Sequence, residues 1–212
     1  MEREYQEVHP LPVSGIVLAG GKSSRLGRDK ALEVLDKESL VKQVISRLST
    51  LSREIIVAVA PEQVVSFART QPAIRVVADL YPGKGPLAGI CTGLSAANTP
   101  YSIVVACDMP FLNQFLLRYL VELSPAFDIV VPRVEGKSEP LHAVYSRDCL
   151  APIEHMLQQD RLRASDLLQL VKVRYVGEEE IDRFDPKHLS FFNINTKADL
   201  ERAKALAWVD LI

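Results

Sequence analysis

Residues 16–30 read IVLAGGKSSRLGRDK, and the stretch changes character partway along its length. Its apolar first part predicts a buried strand, which then breaks into a glycine-rich, cationic loop. Gly20 and Gly21 lack a Cβ, so their backbone N–H groups can come close to phosphate oxygens. Arg25 adds a planar guanidinium and Lys30 a compact ammonium, and both groups bind phosphate. The stretch therefore predicts a strand followed by a phosphate-binding loop.

Length, charge and cysteine content limit the possible classes of protein. A chain of 212 residues can bury a complete core in one domain, so residues 15–212 are predicted to form a single domain behind a tail of residues 1–14. The net charge of −2 gives no electrostatic basis for nucleic acid or an anionic membrane as a main partner. The absence of a bilayer-length apolar stretch and of signal-peptide character predicts a cytoplasmic protein. The three cysteines have no C-x-x-C spacing, which argues against a disulfide framework and a zinc site.

Short apolar runs alternate with helical patterns along the first half of the chain. Strands are predicted at residues 16–18, 55–59, 75–78 and 101–107, with helices between them and Ser39 as the cap of the first helix. This alternation predicts a single-domain, Rossmann-like three-layer α/β sandwich with a mostly parallel central sheet. Ligands of such sheets bind at the carboxyl ends of the strands.

The second half of the chain is less regular. It is predicted to contain a helix near residues 116–123 and strands at 129–132, 141–145 and 173–176. Ser165 and Thr196 are predicted as helix caps. The remaining segments are predicted as a polar loop at 133–140, an acidic connection at 178–186 and an extended piece at 191–196.

Two aspartates directly follow predicted strands. Asp108 ends the run at 101–107, where an unpaired buried carboxylate would be costly, so it faces solvent, caps the next helix or binds a cation. In an enzyme that acts on a nucleoside triphosphate, that cation is Mg²⁺, which takes one or two carboxylates together with phosphate oxygens and water. Asp79 follows the run at 75–78 and opens a loop rich in glycine and proline, a position that is typical of a turn residue.

The loop at 18–30 resembles the signature L-A-G-G-x-S-x-R-[ML]-G-x-D-K of nucleotidyltransferases, in its molybdenum cofactor guanylyltransferase form. Residues 85–89, GPLAG, and 107–110, CDMP, resemble two further segments of that family. The resemblance runs from residue 16 to the last helix, and it implies the fold of the nucleotide-diphospho-sugar transferases.

The resemblance also implies roles for individual residues. Arg25, Lys30 and Asp108 would be catalytic, and Asp108 would be the metal ligand. Nucleotide binding would involve Leu18, Ala19, Gly20, Gly21, Lys30, Asp79, Gly85 and Asp108. Asn193, Asn195 and Pro140 would lie on the pyrophosphate or pterin side, within segments that also contain Glu139 and His142. From the residues alone, Asn195 could equally cap the last helix with Thr196, and His142 could equally be a structural histidine.

The implied reaction transfers GMP from Mg·GTP to the terminal phosphate of molybdopterin or its molybdenum form and releases pyrophosphate. Mg²⁺ would be the cofactor, and other proteins of molybdenum cofactor biosynthesis would be possible partners. One departure matters: the family often has an asparagine in the second strand that touches guanine, whereas residues 55–60 offer no polar side chain. A related enzyme that uses CTP, with molybdopterin or a sugar or polyol phosphate as acceptor, therefore stays open, as does a non-catalytic nucleotide-binding module.

Overall fold

The computed structural model describes residues 10–20, 33–35, 38–70 and 74–209. The strands are β1 (Leu11–Leu18), β2 (Val34–Leu35), β3 (Glu38–Ser39), β4 (Ser52–Val59), β5 (Arg75–Ala78), β6 (Tyr101–Ala106), β7 (Ile129–Val134), β8 (Lys137–Ser138), β9 (His142–Ser146) and β10 (Val173–Val176). The helices are α1 (Leu40–Ser49), α2 (Val64–Thr70), α3 (Pro86–Ala96), α4 (Gln114–Leu123), α5 (Leu150–Gln158), α6 (Ala164–Leu167), α7 (Glu178–Ile181) and α8 (Lys197–Val209).

One large sheet forms the centre of the molecule, with the strand order β10-β7-β9-β6-β1-β4-β5 and β8 paired to β7. The pairs β1–β4, β1–β6, β4–β5 and β7–β10 are parallel. Only β9, among these central strands, runs against both of its neighbours, β6 and β7. Because β9 reverses direction, β7 points the same way as β6, and the carboxyl ends of all the parallel strands lie along one edge. The predicted mostly parallel sheet is confirmed.

Helices cover both faces of this sheet. On one face, α1 and α4 pack over a core that contains Val17, Val57 and Val105. On the other face, α3 and α5 pack over Ile16 and Val104. Successive residues of β1 and β6 therefore enter opposite cores, as expected for strands buried on both sides. This is the predicted three-layer arrangement. No helix in the described ranges is long and apolar enough to cross a bilayer.

The first strand begins before the predicted domain boundary. The sequence predicts a tail that ends at Ser14, but β1 begins at Leu11. Leu11 pairs with Ser52 of β4, and Ser14 pairs with Glu54. The register of the β1–β4 pair shifts between Leu11 and Ser14. Pro12, which has no backbone N–H to donate, is tolerated at such an irregularity. Residues 11–14 therefore belong to the sheet rather than to the tail.

The predicted helix caps give mixed results. Ser39 occupies the N-cap position of α1, but its side chain makes no capping hydrogen bond. Ser165 lies inside α6, whose N-cap is Arg163, so that predicted cap is wrong. Thr196 is confirmed as a cap: its Oγ1 accepts from the Asp199 N–H at 3.1 Å, and the Asp199 carboxylate accepts from the Thr196 N–H at 2.8 Å.

Short regular elements occupy three segments predicted as irregular or extended. The loop at 133–140 contains the β7–β8 hairpin, whose turn residues Glu135 and Gly136 have φ of 50° and 73°. The acidic connection begins with α7, since glutamates are favourable in a first helical turn. The segment at 191–196 is predicted as extended; its first residue, Phe191, ends a short 3-10 turn, and Phe192 after it has an extended backbone.

Replacement of Gly93 by alanine is expected to destabilise the fold by about 2 kcal/mol. A Cβ on Gly93, in α3, would lie 2.4 Å from Cγ2 of the fully buried Ile16. Ile16 is β-branched and cannot move this methyl group without leaving its rotamer. Urea denaturation would measure the effect. Gly89→Ala on the same helix is the matched control, since among the described residues its Cβ would meet Leu18 alone, at 3.2 Å from the terminal Cδ2 and 4.0 Å from Cγ. Equal stability of the two variants would contradict the prediction.

Candidate active site

The carboxyl ends of β1, β4, β5 and β6 are joined by backbone hydrogen bonds just past the sheet. Ala19 donates to the Ala58 carbonyl at 2.9 Å, and Cys107 donates to the Leu18 carbonyl at 3.1 Å. Asp79 donates to the Val59 carbonyl at 2.8 Å. These bonds fix the start of the glycine-rich loop, the Asp79 loop and the Asp108 segment relative to one another, although they lie far apart in sequence.

The glycine-rich loop leaves the sheet over the end of β4. Leu18 and Ala19 have exposed fractions of 9% and 4%, so only their backbone groups could contact a ligand. Gly20 is exposed, and a Cβ there would lie 3.1 Å from the Ala60 backbone nitrogen. A larger residue would therefore push the first glycine away from β4. Gly21, Arg25 and Lys30 lie outside the described residues, so their predicted contacts with phosphate stay predictions.

Asp79 organises the loop that follows β5. Its Oδ1 accepts hydrogen bonds from the Tyr81 N–H at 3.0 Å and from the Thr92 hydroxyl at 3.1 Å. The Thr92 oxygen in turn accepts from the Leu80 N–H at 2.9 Å. Asp79 therefore acts as a turn residue, which is one of the roles that the sequence allows. Its contact with the nucleotide stays a prediction.

Two glycines shape the rest of this loop. Gly83 and Gly85 have φ of 83° and 73°, a region in which residues with a Cβ are strained. Gly85 is the N-cap of α3, and its carbonyl accepts from the Ala88 N–H at 3.1 Å. The loop therefore enters α3 through a backbone conformation that requires glycine, and the predicted contact of Gly85 with the nucleotide stays a prediction.

Asp108 lies half-buried at the end of β6, beside the segment with the two asparagines that are predicted to belong to the site. Its carbonyl accepts a hydrogen bond from the Ile194 N–H at 3.0 Å, and the Ile194 side chain is fully buried. The structure therefore brings the backbone of residues 193–195 beside Asp108, and the roles of Asn193 and Asn195 on the pyrophosphate or pterin side stay predictions. The Asn193 side-chain amide donates to the Phe191 carbonyl at 3.1 Å, which orients the start of this segment.

The capping alternative for Asp108 is contradicted by the helix that follows. The N-cap of α4 is Asn113, whose Oδ1 accepts from the Leu116 N–H at 3.0 Å. A metal role is compatible with the donors present. Within the described part of the chain, no three His, Cys, Asp or Glu side chains are grouped to hold an ion. Mg²⁺ does not require such a group, because it binds to one or two carboxylates and completes its shell with phosphate oxygens and water.

Pro140 reaches the same edge of the sheet through the antiparallel strand β9. The Leu141 carbonyl accepts from the Ala106 N–H at 3.0 Å, two residues before Asp108. The Pro140 carbonyl accepts from the hydroxyl of the fully buried Tyr145 at 2.7 Å, which holds the segment in place. Burial raises the pKa of Glu139, and Lys137 opposes that effect. The geometry therefore places a rigid segment with a half-buried carboxyl group beside the metal candidate.

His142 has a structural environment rather than a catalytic one. Its side chain is fully buried, and its ring lies 4.8 Å from the Phe191 ring. Burial lowers the pKa of His142 to about 4, although the nearby Asp185 carboxylate acts in the opposite direction. Neither ring nitrogen has a hydrogen-bond partner within the part of the chain that the structure describes. The structural alternative therefore fits better than a role in proton transfer.

Gln63 is a polar residue at the site that the sequence-based prediction missed. It belongs to the turn after β4, and its Oε1 accepts from the Ala60 N–H at 3.2 Å. The signal was the glutamine three residues after Ala60, the N-cap of this turn, which matches the spacing of a capping box. Gln63 brings an amide to the strand end where residues 55–60 offer no polar side chain.

Comparisons with known proteins identify the family of the chain. Residues 15–173 match the family described as the MobA-like NTP transferase domain. A protein of Pelotomaculum thermopropionicum named probable molybdenum cofactor guanylyltransferase is 38% identical, over 93% of this chain and 94% of that protein. The molybdenum cofactor guanylyltransferase of Desulfosudis oleivorans is 36% identical, over 91% of this chain and 95% of that protein.

Solved structures lead to the same family. The molybdopterin-guanine dinucleotide biosynthesis protein A of Archaeoglobus fulgidus superposes with a TM-score of 0.82 at 28% identity, over 93% of this chain and all of that one. The 4-diphosphocytidyl-2C-methyl-D-erythritol synthase of Anaerococcus prevotii, at 14% identity and a TM-score of 0.70 over 92% of this chain and 96% of that one, shares the fold. The chain therefore belongs to the molybdenum cofactor guanylyltransferases, a family of nucleotidyltransferases with a MobA-like domain.

Proposed function

We propose that the protein transfers GMP from Mg·GTP to the terminal phosphate of molybdopterin, or of its molybdenum form, and releases pyrophosphate. The observation that carries the proposal is the meeting of Asp108 with residues 193–195 at the strand edge where the glycine-rich loop begins. A metal-binding carboxylate beside a phosphate-binding loop suits a reaction in which the protein mainly positions phosphates and neutralises their charge.

The residues take distinct roles in this proposal. Arg25 and the backbone N–H groups of Gly20 and Gly21 would hold the β- and γ-phosphates, and Lys30 would neutralise charge at the α-phosphate. Asp108 would hold Mg²⁺, which supplies positive charge to the phosphate oxygens when bound. An oxygen of the terminal phosphate of molybdopterin attacks the α-phosphorus, and the bond to the bridging oxygen of pyrophosphate breaks. Because this nucleophile is already ionised, no general base is needed.

The base would be read without the asparagine that is common in the family. The candidate groups are the backbone of the loop from Asp79 to Gly85 and the amide of Gln63, which both lie at the ends of β4 and β5. The absence of a polar side chain at residues 55–60 is also the observation that keeps CTP as the second candidate. The acceptor and the partner proteins of molybdenum cofactor biosynthesis are part of the proposal, and the cytoplasmic location stays a prediction.

A thermal-shift titration with GTP, CTP, ATP and UTP, with and without Mg²⁺, tests the nucleotide. A ligand at 100 times its Kd that binds only the folded state stabilises it by about 2.7 kcal/mol. For a chain of this length, that corresponds to an increase in Tm of roughly 5–10 °C. We expect this shift with GTP and Mg²⁺, and a smaller one with GTP and EDTA. A shift with CTP alone would move the assignment to a cytidylyltransferase, and no shift with any nucleotide would contradict the proposal.

A further inference from the structure

The side chain of Lys84 crosses from the loop after β5 to the carboxyl end of α5. Its Nζ donates a hydrogen bond to the Leu157 carbonyl at 2.7 Å and lies 3.3 Å from Oδ1 of Asp160. The two ends of this contact are 73 residues apart in sequence. The contact therefore ties the candidate nucleotide loop to a helix on the outer layer of the sandwich.

The end of α5 suits a cation. The last carbonyls of a helix have no intrahelical partner and carry partial negative charge, which favours an ammonium group there. Asp160 adds an exposed carboxylate two residues past the end of the helix, where the chain turns with φ of 57°. The Lys84 ammonium therefore meets a helix terminus and a carboxylate together, which is a stronger attraction than either partner alone would provide.

The loop around Lys84 is held mainly at its two ends. At the start, the Asp79 carboxylate and Thr92 bind the backbone of Leu80 and Tyr81. At the other end, the Gly85 carbonyl accepts the first hydrogen bonds of α3. Between them, a Cβ on either Gly83 or Gly85 would meet no described atom within 4 Å, so this part of the loop has little packing. Among the described residues, Tyr81 packs against the core on this face, and the Lys84 side chain joins the following part of the loop to α5.

We propose that Lys84 is a positioning residue for the nucleotide, acting through the loop rather than by direct contact. Its ammonium is directed to α5, so it holds the loop while the backbone near Tyr81 and Gly85 stays available to the base or ribose. This inference rests on the proposed function. Residues 55–60 have no polar side chain to contact the base, so backbone groups of the loop from Asp79 to Gly85 would have to do so. Loss of the link should therefore weaken nucleotide binding and leave the chemical step unchanged.

Lys84→Met is the decisive variant, because it keeps the aliphatic chain and removes the ammonium. We expect the KM for GTP to rise about tenfold while kcat stays within about twofold of the value for the unaltered protein. The reason is that the variant loses binding energy that the ground state and the transition state share equally. We expect Lys84→Arg to restore most of the affinity. The matched control is Lys204→Met, which removes a lysine whose ion pair with Glu201, at 2.7 Å, lies within α8 and should leave both constants unchanged.

Hydrogen–deuterium exchange of the nucleotide-free protein tests the link without assuming any substrate. Backbone amides of residues 80–85 should exchange at least about fivefold faster in Lys84→Met than in the unaltered protein, while Lys204→Met changes nothing there. Unchanged exchange in the loop, or a fall in kcat at unchanged KM, would overturn the proposal. If the unaltered protein bound no nucleotide, the proposed function would fail, and with it the nucleotide role of Lys84, whatever the loop exchange showed.

Discussion

Replacement of Asp108 by asparagine is expected to lower kcat by about 10²–10³-fold, which corresponds to roughly 3–4 kcal/mol of transition-state stabilisation. The change removes the negative charge that would hold Mg²⁺ and keeps the size of the side chain. The hydrogen bond from the Ile194 N–H to the Asp108 backbone carbonyl does not involve the replaced carboxylate and should be retained. Pyrophosphate release from GTP in the presence of molybdopterin would measure the effect, over a range of Mg²⁺ concentrations.

Asp148→Asn provides the matched control for this experiment. Asp148 also lies just after a strand, but β9 is antiparallel, so this exposed aspartate lies at the opposite edge of the sheet. We expect its replacement to leave kcat within about twofold, as for a surface substitution away from the site. Full activity of the Asp108→Asn variant at low Mg²⁺ would show that the metal is held elsewhere.

The parallel part of the fold was predictable because its strands are short β-branched runs bounded by turn residues. The runs at Arg75–Ala78 and Val173–Val176 are strands with the bounds that the sequence predicts. Parallel strands joined by helices place their carboxyl ends at one edge, so the proximity of Asp79 and Asp108 to the glycine-rich loop also followed from topology. Only the structure showed which residues cap the helices. Asn113, rather than Asp108, caps α4, and Thr196 caps α8.

Direction and long-range contacts were not predictable in the same way. The apolar run of β9 gives no indication that it runs antiparallel, because buried strands of either direction carry the same residues. The link from Lys84 to Leu157 joins a loop to a helix end far along the chain, and Lys84 carries no local pattern that distinguishes it from a solvated lysine. The close approach of Gly93 to Ile16 depends likewise on how α3 lies across β1.

Acid is expected to destabilise the protein through His142. Burial lowers the pKa of this histidine from 6.5 to about 4, and the Asp185 carboxylate only partly opposes that effect. Both oxygens of Asp185 already accept backbone N–H groups, from Leu189 at 3.1 Å and Ser190 at 2.8 Å. Between pH 6.5 and 4 the unfolded chain binds a proton that the folded chain does not, so stability falls as the pH falls through this window.

Replacement of His142 by leucine should remove this pH dependence. The variant has a similar volume and eliminates two buried ring nitrogens that lack partners among the described residues, so at pH 7.5 it should be at least as stable as the unaltered protein. Between pH 7.5 and 4.5, the unaltered protein should lose about 2–3 kcal/mol more than the variant, measured by urea denaturation. His155→Gln, at an exposed position of α5, should keep the unaltered pH profile. Parallel curves of stability against pH for His142→Leu and the unaltered protein would contradict this prediction. They would mean that His142 has its ordinary pKa in the folded state, and that water or Asp185 reaches the ring more closely than its burial indicates.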